Sequence, residues 1–312
     1  MGHEYASCHR QEMAFANDEA VSRGSTGERG IRRAMSLVNV AYAGVLTWSN
    51  PPLKRLEEQA LIPMFGSRPV ELGLDRDNRF LKVIAADGIY KKLFAAAFPG
   101  EKEPVTLGNV TKAIACFERT LISGDSPYDR YHFQGDEKAV SDIAKRGEEL
   151  FFSRQLACFQ CHGGFNFSDA TVTAGQPERS ITFHNTGLYN VAGSTSYPTP
   201  NVGIYEHSKR PEDVGKFKAP SLRNVGLRAP YMHDGSVTTL DAALDHYAAG
   251  GRTITNGQYA GVGRNNPNKD NRIAGFELTA RDRKAVVEFL LSLTDASVAT
   301  NPEFSDPWRV KQ

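Results

Sequence analysis

The stretch ACFQCHGG, residues 157 to 164, limits what this chain can fold into more than any other part of it. It holds Cys158, Cys161 and His162 as a complete C-x-x-C-H, the attachment signature of c-type haem. Two thiols at this spacing can form thioethers with the porphyrin vinyl groups, and the histidine that follows reaches the iron from the same side. A zinc site or a redox dithiol could use the same three residues. Zinc would want a second ligand pair at suitable spacing, and the sequence offers none. A partial copy of the motif stands near the other end of the chain, in YASCHRQ, residues 5 to 11. Cys8 and His9 are present there, but Tyr5 takes the place of the first cysteine.

The chain has 312 residues, a length that suggests two domains. Hydrophobic residues make up 40% and charged residues 23%, an ordinary globular balance. The formal net charge is +1 with no block of like charge, so nothing argues for nucleic acid. No run of about 18 apolar residues is present, and no membrane span is expected. The opening MGHEYASCHRQ lacks the apolar h-region of a signal peptide. The cysteines are Cys8, Cys116, Cys158 and Cys161, too few for a disulfide framework in a chain this long. Three of them belong to the two Cys-His motifs, which points to cofactor chemistry. Cys116 lies in an apolar helical pattern and is expected to be an inert core thiol.

Residues 107 to 121 place Leu107, Val110, Ile114, Phe117 and Leu121 on one helical face. SGDSPYDRY follows and breaks the pattern with Gly124 and Pro127. A second helical pattern, EKAVSDIAKRGEELFF, leads into the complete motif, and the domain boundary is expected near residue 135. That gives a first domain over 1–135 and a second over 136–312. Between 163 and 235 the chain is rich in Gly, Pro, Asn and Thr, which reads as long ordered loops around a cofactor. Thr239 then opens TLDAALDHYAAGG, with Leu240, Leu244 and Tyr247 on one face and Gly250 as the stop. Thr279 and Asp282 make a capping-box-like start for TARDRKAVVEFLLSL. Strand signals are weak throughout. The expected fold is mostly α, with long ordered loops.

Five segments together carry a family resemblance: ASCHRQEMAFAND, RRAMSLVNVAY, LTWSNPPLKRLEEQALIPMFGSRPVELGL, FHNTGLYN and FKAPSLRNVGLRAPYMHDGSVTTLDAALDHYAAGG. The sequence resembles the bacterial dihaem cytochrome c peroxidase and MauG family over nearly its whole length, closest to the MbnH-like branch. The resemblance implies a mostly α fold of two cytochrome c-like haem domains with long ordered loops, one haem c group in each domain, and a periplasmic location. It makes YASCH the first haem site, held by a single thioether at Cys8 and ligated by His9, with Tyr5 replacing a cysteine. That iron is implied to be the open one that meets hydrogen peroxide. Glu71, in PVELGL, would serve as the general acid–base on its distal side. His162 would ligate the second iron, with Tyr247 as its distal ligand. Family peroxidases fed by a cytochrome use methionine there, and MauG-like branches use tyrosine. A phenolate stabilises ferric and more oxidised iron, whereas a thioether favours reduced iron.

The resemblance further implies that Trp48 lies between the haems, and that His233 and Asp234 form hydrogen bonds beside the second one. His246, about 100° from Tyr247 around the helix, is not expected to ligate. Family members often carry calcium between the haems, which here would use the carbonyls of Arg228 and Pro230. The usual asparagine is replaced by Arg33, a cation that opposes a calcium ion; Asn39 is the other asparagine of that segment. The implied function is an oxidoreductase that uses peroxide to build a high-valent dihaem state and oxidise tryptophan on a partner protein. A peroxidase drawing electrons from a small cytochrome, or a non-enzymatic electron carrier, are the other functions open to such a chain. The tryptophan that MauG-like proteins place before the second motif is Leu156 here, which leaves Trp308 as a candidate exit for electrons.

Overall fold

Capping side chains begin most of the longer helices. The structure, a computed structural model, describes residues 5–176 and 180–308. The first half holds α1 (Tyr5–Cys8), α2 (Leu56–Gln59), α3 (Leu61–Phe65), α4 (Arg79–Ala86), α5 (Gly88–Ala97), α6 (Leu107–Thr120) and α7 (Pro127–Gln134). The second holds α8 (Asp142–Phe151), α9 (Tyr205–Ser208), α10 (Leu240–Ala248), α11 (Ala280–Ser292) and α12 (Ala296–Thr300). Ser126 and Asp129 form a full capping box on α7, whose first residue is Pro127. Thr239 caps α10 and Thr279 caps α11, each accepting from a backbone N–H three residues on. Gly250 takes φ +69° just beyond α10, the left-handed stop that the sequence suggested.

The expected long loops are present. Between α8 and α10 the backbone runs through short 3₁₀ turns, isolated bridges and the single-turn α9. The only paired strands among the described residues are β1 (Thr253–Ile254) and β2 (Gly261–Val262), antiparallel and two residues each.

Cys116 corrects one expectation: it is exposed, not a core thiol. Helix α6 buries Val110, Thr111, Ala115 and Glu118. Cys116 sits about 200° around the helix from Ile114 and faces away from that packing. Phe117, placed on the buried face by the spacing, is likewise exposed.

The second half has the larger core, where Leu150 and Phe151 of α8 pack with Val286, Phe289 and Leu290 of α11. The two helices cross at Gly147, where a Cβ would lie 1.9 Å from the Ala285 carbonyl oxygen. Tyr128 of α7 packs into this core too. Val298 of α12 packs instead with Phe15, Leu37 and Leu121 of the first half. Trp48 does the reverse, joining Leu188, Tyr197 and Phe217 from the long loops. Each half therefore lends a side chain to the other, and the space between them is where both Cys-His motifs point.

Candidate functional site

Both motifs open on one continuous cavity of about 800 Å³. Its wall carries Cys8 and His9 from the first motif and Cys158, Cys161 and His162 from the second. Trp48, Glu71, His233 and Tyr247 line the same space. The sequence placed these residues up to about 240 positions apart, and tertiary folding brings them together.

The two histidines are aimed by the same device. His9 Nδ1 lies 2.8 Å from the Phe15 carbonyl oxygen, and His162 Nδ1 lies 3.1 Å from that of Phe167. A carbonyl can only accept, so Nδ1 carries the proton in each ring. That tautomer binds a metal through Nε2. Both phenylalanines sit in the left-handed region, Phe15 at φ 55° and Phe167 at φ 48°. A bulky residue there costs about 1–3 kcal/mol and persists only where packing over-determines it. Burial lowers the pKa of both imidazoles and favours the neutral, metal-binding form.

The thiols fit attachment rather than redox exchange. Burial pushes the Cys158 thiol up to about 12, far from the reactive thiolate that a redox dithiol needs. Cys161 stands with Asp169 and His184 in a group whose ligand atoms lie within 4.8 Å of one another. That group does not suit zinc. His184 is held between Asp169 at 2.7 Å and Asp270 at 2.8 Å. Burial opposes its charge, but the two carboxylates hold it as an imidazolium with a pKa pushed up to about 11. An imidazolium donates from both nitrogens and has no lone pair for a metal.

Helix α10 turns one face to the cavity, with Leu240, Ala243, Leu244 and Tyr247 on its wall. Burial raises the Tyr247 phenol, and the nearby Cys161 and Cys158 raise it further. His246 is buried but does not line the cavity. Glu71 stands open to solvent at the cavity wall, where desolvation holds its carboxyl above the ordinary range. Its segment is fixed from behind by Gly24: a Cβ there would lie 1.7 Å from the Val70 carbonyl oxygen. Trp48 is buried and donates Nε1–H to the Arg33 carbonyl at 2.9 Å. Its ring meets His233 edge-on at 6.4 Å between centroids.

His233 stacks on Phe217 at 3.7 Å, and its Nε2 has no hydrogen-bond partner among the described residues. Burial lowers its pKa to about 4, so it is a neutral group on the cavity wall. Asp234 turns to other partners, accepting from the Tyr189 hydroxyl at 2.5 Å and the Ser236 N–H at 3.0 Å.

The residues do not fit an inter-haem calcium. The Arg33 guanidinium donates Nη2–H to the Arg228 carbonyl at 2.8 Å and to that of Ala229, rather than the expected Pro230, at 3.1 Å. Asn39 cannot substitute. Its side-chain oxygen accepts from the Ser123 N–H at 2.9 Å and its nitrogen donates to the Ser123 carbonyl at 3.0 Å.

Lys218 was inside a motif that the sequence analysis quoted, but no role was drawn for it. It is buried on the cavity wall, and its Nζ donates to the Val45 carbonyl at 2.6 Å. No carboxylate pairs with it among the described residues, and burial lowers its pKa to about 8. A charged side chain flanked by apolar residues, as in FKAP, was the available signal. Thiols for vinyl groups, carbonyl-braced imidazoles for iron and an unneutralised buried cation for a propionate together fit haem c in this cavity.

This fold and site define a di-haem c-type peroxidase. The chain belongs to the di-haem cytochrome c peroxidase and MauG family. The family model described as di-haem cytochrome c peroxidase matches residues 4–138. The methylamine utilization protein MauG of Methylorubrum extorquens is 32% identical over 290 residues, covering 92% of this chain and 71% of that protein. The cytochrome c551 peroxidase of Pseudomonas aeruginosa is 30% identical over 238 residues, covering 76% of this chain and 64% of that protein. Among solved structures, a MauG-like protein associated with microbial copper homeostasis is 44% identical. The match has a TM-score of 0.94, covering 97% of this chain and 87% of that one. The protein is therefore an enzyme of the peroxidase type, which removes the simple electron carrier from the functions considered. No helix among the described residues is long and apolar enough to cross a membrane.

Proposed function

We propose that this enzyme uses hydrogen peroxide to oxidise a tryptophan of a separate protein, with the two haem sites sharing the oxidising charge. Tyr247 is the observation that carries this. It lies on the cavity face of α10 beside Cys158 and Cys161, where the second iron would be held by His162. Burial favours the neutral phenol, so an anionic Tyr247 would require a positive charge near its oxygen, which a ferric haem held by His162 would supply. A phenolate there suits an iron that stores oxidising equivalents better than one that relays electrons from a cytochrome.

Bound haem iron supplies the redox chemistry with peroxide; the chain's residues handle protons and position. Glu71 would take the proton from the near oxygen of peroxide and return it to the leaving oxygen, and the partial desolvation that raises its carboxyl makes it a stronger base than an ordinary carboxylate. Trp48, buried on the wall of the cavity that both motifs share, would give the sites an oxidisable ring through which to exchange charge. The first haem would be held by Cys8 alone, with His9 as the residue to ligate it; the Tyr5 side chain lies outside the described residues. The two haem domains divide near residue 135, and the protein works in the periplasm.

A protein substrate is too large to reach the cavity, so its electrons must leave through surface aromatics. Leu156 is buried on the cavity wall and offers no such route. Trp308 is 51% exposed and packs against Tyr90 at 5.9 Å, which makes that pair the exit we favour. The likeness to a MauG-like protein associated with copper homeostasis supports a partner from copper handling. Incubating the enzyme with peroxide and the proteins encoded beside it should add oxygen to a tryptophan of one of them, read by peptide mass spectrometry. Rapid peroxide turnover with a reduced small cytochrome, and no modified partner, would assign the enzyme to peroxide detoxification instead.

A further inference from the structure

Arg33 ties together backbone from both halves of the molecule. Its guanidinium donates to the carbonyls of Asn17, Glu19, Arg228 and Ala229. Asn17 and Glu19 follow the loop that braces His9, while Arg228 and Ala229 begin the turn that leads to His233. The Arg33 N–H donates to the His233 carbonyl at 2.9 Å, and its own carbonyl accepts Trp48 Nε1–H at 2.9 Å. The side chain is 6% exposed. No carboxylate lies within ion-pair distance of it among the described residues; Asp18, paired with Arg10 at 3.0 Å, acts on it only from farther off.

Carbonyl oxygens converging on one positive charge make an environment suited to a hard cation. Here the charge is a guanidinium, whose planar fork of donors reaches several acceptors at once. Burial lowers its pKa to about 10, so it is still cationic at neutral pH. The Arg228 guanidinium is buried close by, with Nη2 on the Ser221 carbonyl at 2.6 Å. A divalent ion inserted beside two buried guanidiniums would add like charge, and it would compete for carbonyls already used.

We propose that Arg33 is the resident cation of this junction, in place of the calcium that the family resemblance implies, and that it positions Trp48 between the two sites. The first part holds whichever substrate the enzyme uses. The enzyme should then be indifferent to calcium, and Trp48 should depend on Arg33.

The test uses the holoenzyme with both haems. It is treated with EGTA, or with excess calcium and then desalted. Calcium per chain is read by plasma mass spectrometry, the thermal midpoint by absorbance, and the ferric irons by electron paramagnetic resonance. No stoichiometric calcium and no change in midpoint or resonance are expected. Calcium at one per chain, or a midpoint that climbs with calcium concentration, would overturn the proposal. Arg33→Gln should slow the spread of the peroxide-induced absorbance change to the second haem by on the order of 10²-fold, the scale set by a misplacement of about 1 Å. It should also shift the resonance of the second iron well below the unfolding temperature, which a purely structural loss would not do. Arg33→Lys keeps the charge without the fork and should recover part of the rate. Should Arg33→Gln fail to fold, Arg33→Lys alone must show the slowing. Parent-like kinetics and resonance in whichever variant folds would remove Arg33 from the positioning of Trp48.

Discussion

His9 and His162 are braced alike, each by a carbonyl from a phenylalanine held at positive φ, yet the two sites differ in almost everything else. The second motif lies against the larger core: Cys158 packs on the cluster that contains Phe151, Phe167 and Phe289. The first begins on α1, a single helical turn, and Cys8 is only partly buried. Tyr247 faces the second motif; Glu71 stands on the wall of the same cavity and is open to solvent. Imidazole aim is thus the common requirement, and each half meets it with local strain locked by packing. Anchoring and the opposite face of each haem are where the halves diverge. On the proposed function, one half would handle protons through Glu71 and the other would hold an oxidised iron through Tyr247.

The sharpest way to break this contrast is at the proton-handling side. Glu71→Gln should leave haem content unchanged and slow the first reaction with peroxide by about 10²–10⁴-fold, measured by stopped-flow absorbance. Desolvation raises the Glu71 carboxyl, so the parent's rate should fall as pH drops through a value above the ordinary carboxylate range. Glu71→Gln should lose that limb. An unchanged rate and pH profile would mean that the carboxylate takes no part.

A smaller effect is expected at the second iron. Tyr247→Phe removes the phenol oxygen with little change in volume and should raise the reduction potential of that haem alone. Each hundredfold preference of the phenolate for ferric over ferrous iron corresponds to about 120 mV. Spectroelectrochemistry that finds both haem potentials unmoved would point to another ligand.

The smallest change sharpens the anchoring difference. The haemochrome band of the parent should contain one ordinary c-type component and one displaced component from a haem that keeps a vinyl group at Cys8. Tyr5→Cys should merge the two, and Cys158→Ala should displace both. Intact mass should show two haems in the parent under mild ionisation. A single haem per chain, with no dissociable haem in the folded protein, would abolish the comparison.

Much of this was readable from the chain because covalent haem attachment is encoded locally. Cys158, Cys161 and His162 need only each other's spacing, and the helix starts at Thr239 and Thr279 need only a side chain within three residues of an open N–H. The loop-rich stretch after the second motif was equally visible, since Gly, Pro and Asn act on their own backbone. By contrast, Cys116 was misplaced because the helical period gives a face but not the neighbour that covers it. Lys218 and His184 were quoted in motifs without a role. Their meaning rests on partners far along the chain: Val45 for one, and Asp270, with Asp169 closer by, for the other.

Short-range spacing by itself therefore determined the haem motif at Cys158, Cys161 and His162 and the helical class, while Cys8, His9, Glu71, Trp48 and Tyr247 were singled out by the family resemblance. Only the tertiary structure decided that Phe15 and Phe167 brace the two histidines, because each brace depends on a left-handed backbone that packing must hold. The same is true of the junction. The sequence showed a cation at residue 33 opposing a metal ion. Folding carried the carbonyls of Asn17, Glu19, Arg228 and Ala229 to that guanidinium and made it the centre of the contact between the halves.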